Sequence, residues 1–276
     1  MPRVATLRLA ALTAGILAAL TAALGVSAPA SLTAVHATRA DVRPVADTYP
    51  TNAAKIFRWG DAQFYDNFIS PVKSMWSVNH PSLVRDQHGM LTINGTSTSG
   101  TVSATLTGHG RRLGRWEARV RAEQYSTKAT PYHVVWELIP STSTGYHCGS
   151  RSIVLADYPL GSDTATMHVR NLPDVDLSAG KQLTLGPGPF HTYAVEVTSD
   201  HVSWFVDTHV IRTERRPAAL SGATFKVRFR LLAPSGATMN PGRMQMDWVR
   251  YYTLERKNAQ SIEAPPMDLG SYADAC

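Results

Sequence analysis

Cysteine is scarce in this 276-residue chain: Cys148 and Cys276 are the only two. That excludes a small scaffold held by many disulfides and a zinc site built from several thiolates. The ten histidines are scattered, and none falls in H-E-x-x-H or beside paired cysteines, so no zinc-hydrolase or zinc-finger pattern is written here. There is no glycine-rich phosphate loop and no G-x-S-x-G nucleophile elbow. Charged residues make up only 17% of the chain, yet 43% are hydrophobic, a globular rather than a disordered balance. Helical periodicity is missing beyond about one turn outside the N-terminus. No internal repeat or low-complexity tract occurs.

What is present begins with a processing signal. Arg3 and Arg8 precede the apolar run "LAALTAGILAALTAALGVSA", and Ala28-Pro29-Ala30 supplies a small-residue cleavage pattern. Residues 1–30 therefore read as a secretory signal peptide. A second cleavage pattern stands at Val35-His36-Ala37. The competing interpretation is a retained anchor, because about 20 apolar residues can span a bilayer. With cleavage no membrane span is left, and the chain is expected to be secreted or held in the cell envelope. No cysteine follows the run, so lipidation there is not expected. Export also permits one disulfide between Cys148 and Cys276, the alternative being a buried thiol and a free one. Loss of residues 1–30 removes two arginines and no acid, which lowers the net charge from +6 to +4. So mild a surplus fits adhesion to acidic polymers and does not argue for nucleic acid.

Residues 31–55 are polar and aperiodic, an arm or linker. From about residue 56, short alternating runs recur, among them "YHVVWELIP", "RSIVLADY", "ATMHVRNL", "HTYAVEVTS", "FKVRFRLLA" and "MQMDWVRYYTLE". They are rich in β-branched and aromatic residues and are separated by "GHGRRLG", "GPGP" and "PSGATMNPG". This predicts an all-β domain over 56–256, one large antiparallel sandwich or barrel. The polar tail 257–276, with Pro265-Pro266, is expected to lie loosely on the surface.

Several of these segments together resemble glycoside hydrolase family 16, the laminarinase, lichenase and agarase group. They are "FYDNF" with "SMWSV", "STSGTVSATLTGHGRRLGRWEARVR", "PYHVVWELIP", "FHTYAVEVTSDHVSWFVD" and "MQMDWVRYY", in family order from about 64 to 252. The resemblance implies a jelly-roll β-sandwich of the concanavalin A-like lectin and glucanase type, with a polysaccharide or cell-wall glycan as partner. It also places "RSIVLADY" on the family's catalytic strand, written G-E-I-D-I-V-E-Y. The nucleophile then falls on Ser152, the middle carboxylate on Val154 and the acid/base on Asp157. All three positions depart from the motif.

Retaining glycosidases need two carboxyls about 5–5.5 Å apart, and inverting ones about 6.5–9.5 Å. Asp157 shares a face with Ser152 and Val154 only if a bulge near Leu155-Ala156 adds one residue. Glu137 is the candidate second carboxylate, or else the partner of an arginine such as Arg151. By the same resemblance His168 would hydrogen-bond and tune Asp157, or else be a satisfied structural histidine. Trp136 would stack on a sugar, or else fill the core, and Ser152 would line the substrate site. Glu117, Arg119 and Trp204 read as structural. Asp247 matches a position that in some family members helps hold a structural calcium, the one ion considered; no other cofactor is expected. Three functions follow: a polysaccharide binder that has lost its chemistry, a working hydrolase or transglycosylase with Asp157 as acid/base, and a structural cell-envelope protein. Fold does not choose between them.

Overall fold

Alternation dictates two layers. In a computed structural model, which describes residues 52–69, 71–142, 151–258 and 263–272, the alternating runs form two antiparallel sheets. The first contains β1 (Phe64–Asp66), β3 (Val84–Asp86), β4 (Leu91–Gly95), β6 (Gly114–Gln124), β11 (His191–Val197), β12 (Val202–Val206), β13 (His209–Glu214) and β15 (Gly242–Tyr252). Its order is β13-β12-β11-β6-β15-β4-β3, with β1 also paired to β15. The second contains β2 (Trp76–Val78), β5 (Val102–Leu106), β7 (His133–Pro140), β8 (Ser152–Pro159), β9 (Thr164–Asn171), β10 (Val175–Gln182), β14 (Phe225–Leu232) and β16 (Asp268–Ser271). Its order is β16-β10-β9-β8-β7-β14-β5-β2. The expected all-β sandwich is what forms.

The core lies between the sheets. Trp116, Ala118 and Val120 of β6 face Val134, Trp136 and Leu138 of β7 and Phe225, Val227 and Phe229 of β14 in one cluster. Each inward side chain buried there contributes about 1.5–3 kcal/mol. The intervening residues point outward and carry the polar and charged groups. Asp66, buried at the end of β1, accepts hydrogen bonds from the Trp76 indole at 3.0 Å, Lys73 Nζ at 2.8 Å and the Phe68 N–H at 3.1 Å. It thereby joins the first sheet to β2 of the second.

Two segments differ from expectation. Residues 52–59 belong to the fold: α1 (Ala53–Ile56), Phe57 and Trp59 cover Ala194, Phe205 and Tyr252 on the outer face of the first sheet. The C-terminal stretch is not loose either. Met267 is buried in the main core, and Asp268–Ser271 pairs with β10 as an edge strand. The Met267 carbonyl accepts from Arg216 and its N–H donates to Glu214. Local sequence has no signal for such a return, because the partner strand is some 90 residues away. The signal peptide, Cys148 and Cys276 lie outside the described residues, and so does their pairing. No helix among the described residues is long and apolar enough to cross a membrane.

Candidate functional site

The outer face of the second sheet is built around one irregularity. β7 and β8 pair as Trp136↔Ala156 and then Glu137↔Val154, so Leu155 is an extra residue on β8. The pairing with β9 slips at the same place, between Val154 and Asp157. This bulge puts Leu155 and Ala156 both against the core and returns Asp157 to the face that carries Ser152 and Val154. From the opposite sheet the Trp204 indole donates to the Val154 carbonyl, 3.2 Å away. A buried Trp thus occupies a backbone acceptor next to the bulge.

Register then sets the neighbours. Asp157 lies across from Val135 on β7 and Thr166 on β9, and Glu137 lies across from Val154 and Arg228. Glu137 and Asp157 are on one face in a diagonal cross-strand relation, for which about 7–8 Å is usual. Their surroundings differ. Glu137, 2% exposed, receives Arg228 Nε at 2.8 Å and Arg230 Nε at 2.7 Å on Oε1. Arg230 Nη2 is also 3.4 Å from Oε2. The carboxylate is gripped between two guanidinium groups and is not free to face a substrate. Arg151 is not its partner.

Asp157 is 18% exposed, and its Oδ1 lies 2.9 Å from Nδ1 of His133, which is 45% exposed. The hydrogen bond that His133 donates to Asp157, aided by the carboxylate's charge, raises the imidazole above the ordinary histidine value despite partial burial. His168 does not make this contact. It pairs with Val154 and Ser178, and its Nδ1 meets Asp176 Oδ1 at 2.9 Å. Burial pushes the Asp176 carboxyl up, but His168 and Arg170 outweigh it and leave it below its ordinary value. Trp136 is fully buried and stacks on Phe229, ring centroids 5.9 Å apart, so it fills the core and cannot meet a sugar. Ser152 sits on the outer face opposite Arg170, 3% exposed and without a base beside it among the described residues.

Asp247 lies at a bulge of β15, between Met246 and Trp248, with Oδ2 2.9 Å from Arg119 Nη1. No group of three or more His, Cys, Asp or Glu side chains among the described residues is placed to hold a metal. The Asp247 carboxylate is instead neutralised by the Arg119 guanidinium.

His133, Arg228 and Arg230 were not singled out from the sequence, although alternation carried the signal. In "FKVRFRLL" the cations fall at every second residue, opposite the apolar side. In "HVVWELIP" His133 and Glu137 share a parity that Trp136 does not, so Trp136 and Glu137 could never have faced one cleft together.

No protein-family model matches the chain, and no curated protein matches it. Solved structures do. A non-specific endo-β-1,3(4)-glucanase of family GH16 superposes with a TM-score of 0.60 at 16% identity, over 70% of this chain and 94% of that one. The laminarinase from Flavobacterium sp. UMI-01 gives 0.58 at 15%, over 70% and 100%. The laminarinase from Rhodothermus marinus gives 0.58 at 15%, over 70% and 97%. The chain has the jelly-roll fold of glycoside hydrolase family 16 glucanases; at these identities the likeness is one of fold.

Proposed function

We propose that this chain is an exported polysaccharide-binding protein, built on the glucanase sandwich, whose catalytic strand has departed from glycoside hydrolysis. One observation carries the proposal. The outward positions of β8 hold Ser152, Val154 and Asp157, and the nearest other carboxylate on that face, Glu137, is tied to two arginines. Double displacement needs a free carboxylate and a carboxylic acid on either side of the scissile bond. Among the described residues of β7 and β8, Asp157 is the carboxyl that is partly open to solvent without an arginine on it. A glycan partner is supported by the fold and by a neighbour solved with a β-glucan oligosaccharide at its active site. Export is supported by residues 1–30.

The His133–Asp157 pair favours a second reading, an enzyme in which Asp157 is acid/base and His133 passes the proton. Reducing-end release from β-glucans, agarose and a cell-wall preparation separates the two, with Asp157→Asn run beside the natural chain. No release from either, with retention on one polymer, is the expected result. Release that disappears in Asp157→Asn would overturn the binding-only proposal.

A further inference from the structure

The outward face of the second sheet has an unusual inventory for a sugar site. Its strand positions are Ser103 and Thr105 on β5, Lys226, Arg228, Arg230 and Leu232 on β14, and His133, Val135, Glu137 and Ile139 on β7. Beyond β8 come Thr164, Thr166, His168 and Arg170 on β9, then Asp176 and Ser178 on β10. None of these is Phe, Tyr or Trp, so the floor offers no platform for the apolar face of a pyranose. What it offers is cations.

The acids on the central strands of this face are matched, whereas Asp268 on the exposed edge strand β16, across from Ser178, is not in an ion pair among the described residues. Asp157 has His133, Asp176 has His168 with Arg170 Nε at 3.7 Å, and Glu137 has Arg228 and Arg230. Glu137 is shared between two guanidinium groups. Lys226, half-buried and across from Ile139, has no partner among the described residues and adds a third cation. Arg230 meets Glu137 through a long Nη2 hydrogen bond of 3.4 Å and an Nε contact of 2.7 Å that is not a hydrogen bond. The cations are concentrated on β14, where the three alternate over about 13 Å of strand. Arg228 and Arg230 already grip a carboxylate here, and a guanidinium fork suits any planar or tetrahedral oxyanion.

We propose that this face binds a polysaccharide bearing anionic groups, carboxylate or sulfate ester, and that Lys226 and Arg230 select it by contacting those groups. The inference rests on the proposed polysaccharide-binding function and names its ligand class. Charge gathered on one sheet face gives a site-specific attraction, which the mild net charge of the whole chain does not.

The test is retention and titration of the full chain against polygalacturonate, a sulfated galactan and neutral laminarin, each at low and high salt. Lys226→Gln with Arg230→Gln is compared with Lys55→Gln with Arg85→Gln, an equal charge loss at two exposed residues of the other sheet's side. Arg228 still pairs Glu137 in the first variant, and Lys226→Gln alone, which breaks no contact, serves as a second. The expected result is binding to an anionic polymer that falls at least about tenfold in the β14 variant and less than about twofold in the control. Which anionic polymer responds identifies carboxylate or sulfate as the group. Equal loss in both variants would mean general adhesion of a basic chain and would overturn the inference. Retention on laminarin only would overturn it too and leave the polysaccharide-binding function standing. Retention on none would sink that function itself.

Discussion

Two buried glutamates on opposite outer faces of the sandwich, Glu117 and Glu137, are treated differently, although the first sheet also buries Glu196 against Arg115. On the first sheet Glu117, fully buried under α1, accepts from neutral donors: the Ala54 N–H and Asn52 Nδ2 at 3.2 Å each, and the Tyr252 hydroxyl at 3.4 Å. Burial dominates and raises its pKa to about 7, against the smaller opposing effects of these bonds and of Arg250. On the second sheet Glu137 is as deeply buried but sits between two guanidinium groups. Desolvation penalises a charge wherever it occurs; what differs is whether a counter-charge is built beside it. Glu117 seals a covered face. Glu137 organises a charged one. The same residue type in the same strand environment thus marks structure in one place and a candidate binding floor in the other.

The largest effect expected from breaking this contrast is at Glu137. Arg228→Gln with Arg230→Gln would leave a buried carboxylate without a counter-charge and should cost about 3–5 kcal/mol in urea unfolding. Adding Glu137→Gln should recover most of the loss; no recovery would mean the arginines stabilise by packing instead.

Glu117 should show its difference as pH dependence. Its folded value, about 7, lies above the ordinary 4.5. Its contribution is therefore intact below about pH 4.5 and lost as pH rises through about 7, a total of about 3 kcal/mol. Glu117→Gln should flatten unfolding free energy across that window and be the more stable form at pH 8. An unchanged pH profile would show that the carboxyl is not desolvated as the fold implies.

A smaller effect belongs to the link between the faces. Trp204→Phe removes the donor to the Val154 carbonyl at the bulge and should cost about 1–3 kcal/mol. The smallest concerns His133, which is half-exposed. By NMR its imidazole should titrate above the ordinary 6.5 and return towards it in Asp157→Asn. The pair's stability is present below about pH 6.5 and lost as pH rises through the raised value. Solvent screening keeps it under about 1 kcal/mol.

Much of this was legible beforehand. "RSIVLADY" predicted β8, with Asp157 on the face of Ser152 and Val154 only if a bulge near Leu155-Ala156 added a residue, and Leu155 is that residue. Asp157 consequently stands where the expected bulge would put it. The assignments that failed, a sugar-facing Trp136 and a His168–Asp157 bond, concerned which side chain meets which neighbour. The apolar and charged residues of "VVWELIP" look alike as candidates until strand parity is imposed, and no parity argument says that His133 rather than His168 reaches Asp157.

By itself the sequence determined the all-β architecture, because a period of two with turn residues between runs admits little else. It also determined that β8 carries a single carboxylate, Asp157. Only the tertiary structure decided that Glu137 is claimed by Arg228 and Arg230, that His133 meets Asp157, and that residues 268–271 close the edge of the second sheet. The physical reason is that alternation assigns a residue to a face, whereas its partners on that face depend on cross-strand register. Register is set by long-range pairing and by a bulge next to which a Trp from the opposite sheet is hydrogen-bonded.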